Sequence, residues 1–107
     1  MQLTKSSQNL PKSEIRSSIL VIEQEKEIIS NLKSHLSDSY NLTILHNGQS
    51  GIVKALELIP NLVISGINLR GVNGYSVCRK LKSDHRSIHI PIILISLGLI
   101  LQTTKLG

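Results

Sequence analysis

The 107-residue chain has no tryptophan and no phenylalanine, and only two tyrosines, Tyr40 and Tyr75. It therefore offers no aromatic platform on which nucleic-acid bases would stack. It has a single cysteine, Cys78, which excludes an internal disulfide framework, and no Cys/His spacing of the metal-binding kind occurs. Cys78 falls on the apolar face of a helical stretch and is expected to pack in the core rather than to sense redox state. The longest apolar run, Ile90 to Leu101, contains Pro91, Ser96 and Gly98 and falls well short of the roughly 20 residues that a membrane-spanning helix needs. No apolar run follows Lys5, so the start does not read as a signal peptide. The expected setting is the cytoplasm, with no membrane contact.

Acidic residues are few as well: seven Asp and Glu stand against twelve Lys and Arg, a formal net charge of +5. The basic residues are scattered. Their densest group, Arg79, Lys80, Lys82 and Arg86, lies near the end of a helical stretch, where cations complement the helix dipole. A solvated helix end is the expected reading, and nucleic acid is not an expected partner. Were it one, affinity would fall steeply with salt.

Residues 1–17, "MQLTKSSQNLPKSEIRS", are polar and Ser-rich, with Pro11 and no sustained period, and read as a linker or flexible arm. A domain over 18–107 follows. "SILVI" (18–22) is a β-branched run that stops at Glu23 and Gln24. Ile28, Ile29, Leu32 and Leu36 then recur at helical spacing. "NLTIL" (41–45) alternates as a strand, and Asn47 is placed to cap a helix whose face is Ile52, Ala55, Leu56 and Ile59, closed by Pro60. "NLVIS" (61–65) leads into a glycine-rich loop, after which Val77, Cys78 and Leu81 line a third helix. "PIILIS" (91–96) is the last clear strand, with Pro91 tolerable as its first residue.

Strands alternating with helices predict an α/β domain with a parallel sheet covered on both faces. Three of the four strands are continuous apolar runs, as strands buried on both faces should be. Ligand sites of such sheets lie beyond the carboxyl ends of the strands, which brings Glu23, Gln24, Gly66 and Ser96 together. The glycine loop has neither a phosphate-loop nor a dinucleotide fingerprint. His46 and His89 are not paired at ligand spacing, and Ser65 should point away from the position of Gly66 by strand alternation.

The segments "ILVIEQEKEI", "HNGQSGIVKALELIPNLVIS" and "GVNGYSVCRKLKSDHRSIHIPIILIS" resemble, in order, the receiver domains of response regulators and hybrid sensor kinases. The resemblance runs from about Ser18 to Ser96. It implies a flavodoxin-like, doubly wound parallel sheet, and the chain runs out before the usual fifth strand and fifth helix, with "LGLILQTTKLG" read as a shortened fourth helix. Family members carry an acidic pair after the first strand, a phosphoryl-accepting aspartate after the third, a Ser or Thr after the fourth and a lysine after the fifth. By its flanks, this chain sets Glu23 and Gln24 at the acidic pair, Gly66 at the acceptor and Ser96 at the hydroxyl.

Glycine carries no nucleophile, so no acyl phosphate is expected at Gly66. Three clustered carboxylates are reduced to Glu23, and Mg²⁺ binding is expected to be weak or absent. The resemblance then implies a receiver-like module of a bacterial phosphorelay pathway, not an enzyme, that acts by binding a protein such as a histidine kinase or another signalling domain. An exposed edge on the fourth strand would favour homodimers. The alternatives are an active receiver with a non-standard acceptor, a basic nucleic-acid-binding module, and a fragment with no function of its own.

Overall fold

Aliphatic and β-branched residues make the strands of a single sheet in the computed structural model, which describes residues 16–97 and 99–104. The expected arm lies almost wholly outside the described residues. The four parallel strands are β1 (Ser18–Ile22), β2 (Asn41–Leu45), β3 (Leu62–Gly66) and β4 (Ile92–Ser96). A fifth, β5 (Leu99–Thr104), runs antiparallel to β4, and the order across the sheet is β2-β1-β3-β4-β5. Between β1 and β3 the direction of winding reverses, which is where sheets of this kind open a crevice.

Alternation along the central strands sorts their side chains onto two faces. Leu20, Ile22, Val63 and Leu94 pack with Ile52 and Ala55 of α2 (Gly48–Leu58) and with Val77 and Leu81 of α3 (Gly74–Lys82). Ile19, Val21, Ile64 and Ile95 turn the other way and take Ile28, Leu32 and Leu36 of α1 (Lys26–Leu36). Cys78 is partly buried against the first cluster. No helix among the described residues is long and apolar enough to cross a membrane.

The helix ends follow local chemistry. The side chain of Asn47 accepts from the Ser50 amide at 2.8 Å, and that of Asn73 from the Ser76 amide at 2.9 Å, so both helices that follow glycine-containing turns start from an asparagine cap. Ile59 departs from the expected helical face. It is the residue that ends α2, in the left-handed region at φ 47°, because Pro60 next to it disfavours a further helical residue. A β-branched side chain is strained there.

The carboxyl-terminal segment also differs from the sequence reading. Residues 99–104 form a strand rather than a shortened helix: Ser96 pairs with Leu99, and Leu97 is left-handed at φ 53°. The short turn lets the chain double back, and the backbone groups of β4 find partners in β5 instead of standing open. Among the described residues the strand beside β4 is antiparallel to it, where the resemblance would set a parallel one. The free edge expected on β4 therefore lies on β5, which carries Leu99 and Ile100, 67% and 64% exposed.

Two substitutions test these local assignments by urea denaturation. A Cβ at Gly74 would run into the backbone carbonyl of Gly66, so Gly74→Ala should lower stability by about 1–3 kcal/mol. Ile59→Gly should raise it by about 1 kcal/mol, by removing the left-handed strain.

Candidate functional site

Register decides what meets at the carboxyl end of the sheet. Ile22 pairs with Ser65 across β1 and β3, and Gly66 pairs with Ile95 across β3 and β4. Glu23 therefore arrives beside Gly66, and Ser96 lies one residue past the partner of Gly66. Glu23, Gly66, Asn68 and Ser96 line a small cavity of about 60 Å³.

Glu23 is only 4% exposed, and a carboxylate so placed needs donors. It finds them in its own chain: Oε2 accepts from the amides of Gln24 at 3.0 Å and Glu25 at 3.1 Å. The second oxygen faces β3. A Cβ built on Gly66 would come to 2.5 Å from Glu23 Oε1, so the carboxylate fills the space into which a side chain at 66 would project. The absence of a side chain at Gly66 and the inward packing of Glu23 are two sides of a single steric arrangement.

Ser96 is half-buried, and its Oγ accepts from Asn68 Nδ2 at 3.4 Å. Asn68 thus joins the loop after β3 to the end of β4, a role that the sequence offered no signal for beyond its place in the glycine loop. Ser65 is fully buried and its Oγ donates to the Gly66 carbonyl at 3.0 Å. It is absent from the cavity wall, as strand alternation requires.

Gln24 parts company with the other three candidates. It lines a neighbouring, larger concavity, with Glu25 on the wall of both. The cause is the turn at Glu23, whose side chain folds back onto the following amides while the backbone carries Gln24 away. Among the described residues no group of three or more His, Cys, Asp or Glu is placed to hold a metal ion.

The basic group at the end of α3 is divided by its contacts. Lys82 Nζ donates to the carbonyls of Ile88 at 2.9 Å and Ile90 at 2.5 Å, which ties the helix to the loop before β4. Arg86 grips Asp84 through Nη2 at 2.7 Å and Nε at 3.0 Å. The side-chain hydrogen bonds from Arg86, joined by its backbone amide, hold the Asp84 carboxyl well below the ordinary carboxylate range. Half of the cationic group thus has local structural partners.

No protein-family model matches the chain. It is 31% identical over 81 residues, 76% of its length, to histidine kinase P4 of Formosa agariphila. It is 33% identical over 79 residues, 73% of its length, to the response regulator ArlR of Staphylococcus aureus. The chain spans only 6% and 35% of these two relatives' own lengths. Among solved structures, the signal receiver domain of a signal transduction histidine kinase from Syntrophus aciditrophicus superimposes with a TM-score of 0.67 at 32% identity, over 74% of this chain and 61% of that one. With its sheet order, its glycine loop after β3 and these similarities taken together, the chain belongs to the receiver-domain family of two-component signalling.

Proposed function

We propose that this receiver domain does not accept a phosphoryl group and works as a protein-interaction module of a two-component pathway, in the cytoplasm. The observation that carries the proposal is the contact between Glu23 and Gly66. Where the family's acceptor would stand there is no side chain, and the space it would take is filled by the Glu23 carboxylate. Receiver chemistry needs a nucleophilic carboxylate on β3 and further oxygens around a magnesium ion. One carboxylate with an oxygen already committed to two amides is a poor donor set for a hard dication. The residues present do not fit Mg²⁺, and no catalytic step is assigned to them.

The framework supports binding instead. The sheet, both capped helices and the loops at the carboxyl end keep a receiver shape without the switchable group. A module of this kind presents one fixed surface to its partner, which we take to be a histidine kinase or another signalling domain.

The full chain, incubated with Mg²⁺ and a small acyl phosphate donor, should show no added phosphoryl group by intact mass. Its amide proton–nitrogen spectrum should not move at Glu23, Gly66 or Ser96. A covalent phosphoryl adduct on any residue would overturn the proposal. Gly66→Asp should remain folded, since the obstructing atoms are the end of a flexible glutamate, and should take up phosphoryl only marginally. Rapid uptake by that single variant would show that the groups around Gly66 are already sufficient.

A further inference from the structure

Beside the Glu23–Gly66 cavity lies a larger concavity of about 500 Å³, lined by Gln24, Glu25, Lys26, Ile29, His46 and Arg70. Three separate segments build it. The turn after β1 and the start of α1 supply Gln24, Glu25 and Lys26, the first residue past β2 supplies His46, and the loop after β3 supplies Arg70. Ile29, 9% exposed, gives it an apolar patch.

We infer that this concavity binds a phosphate group, free or as a small monoester, between Lys26, His46 and Arg70. Two side chains on the wall are cations and the imidazole adds an N–H donor, against the single carboxylate of Glu25. The ion pairs among the described residues are Lys54–Glu57 and Asp84–Arg86. Neither Lys26 nor Arg70 is neutralised in one, although both belong to a wall that closes on a common space. An arginine fork and a lysine point charge suit a tetrahedral oxyanion, and a formal net charge of +5 adds long-range attraction. The volume is enough for a small ligand, with Ile29 and the aliphatic stems of Lys26 and Arg70 available to an organic group. No Phe, Tyr or Trp side chain lines it.

The site is separate from the position equivalent to the phosphoryl acceptor. Glu23, Gly66 and Ser96 do not line it, and no bond to protein is made or broken when it fills. The inference therefore does not depend on the proposal of the preceding subsection.

The test is a titration of the full chain, followed by its amide proton–nitrogen spectrum at constant ionic strength, with inorganic phosphate in one series and ribose 5-phosphate in the other. Saturable shifts are expected at Lys26, Ile29, His46 and Arg70. Tighter binding of ribose 5-phosphate would identify an ester as the natural class, and equal binding would identify free phosphate. Arg70→Gln should weaken binding about tenfold through loss of a charge-assisted contact, and Glu25→Gln should strengthen it. Both side chains are exposed, so both variants should keep the dispersed spectrum of the folded chain. Absence of saturable shifts, shifts confined to Glu23, Gly66 and Ser96, or an affinity untouched by Arg70→Gln would each overturn the inference.

Discussion

The parallel pairing of β1 with β3 is the contact on which the functional end of the molecule depends. Its register, Ile22 against Ser65, delivers Glu23 to Gly66, and a shift of one residue would turn every side chain of the strand to the opposite face. Burial on both faces holds that register firmly, because Leu20, Val21 and Ile22 of β1 and Val63 of β3 have no accessible surface. The buried carboxylate is then stabilised locally, by amides of the same turn. Its position is a consequence of core packing in the strand beneath it, and its hydrogen bonds are a consequence of its position.

Close backbone approach completes the arrangement. The first turn of α3 rests on the end of β3, with the Gly74 amide donating to the Ile67 carbonyl at 3.0 Å and no room for a Cβ against Gly66. On the other side, the Asn68–Ser96 contact and the bond from the Ile67 amide to the Ile95 carbonyl, 2.9 Å, join the same loop to β4. Gly66 is thus held between a helix, a neighbouring strand and a glutamate. A residue with no side chain meets all three without displacement.

The two concavities have different electrostatic character because the turn after β1 divides them. Glu23 stays inside the smaller one, while Lys26 and Arg70 face the larger with the imidazole of His46. At the far edge, the β4–β5 hairpin gives β4 the backbone partners that an interior strand needs. It also moves the open edge outward to residues with exposed aliphatic side chains, Leu99 and Ile100.

Much of this was legible in the order of residues. Runs such as "SILVI" and "IILIS" are short, β-branched and apolar, as strands buried on both faces are, Asn47 sits where a helix begins, and the absence of a carboxylate at Gly66 needs no coordinates to be seen. These are local properties, set by each residue and its near neighbours. What only the tertiary structure decided depends on residues distant in the chain. The inward turn of Glu23 requires the vacancy above Gly66, the exclusion of Gln24 from the same cavity follows from that turn, and Lys26, His46 and Arg70 converge only once three strand ends are side by side. The fate of 99–104 belongs to the same class: its apolar residues suit a helix or a strand equally, and the unpaired backbone of β4 settled the choice, because buried N–H and C=O groups must find partners.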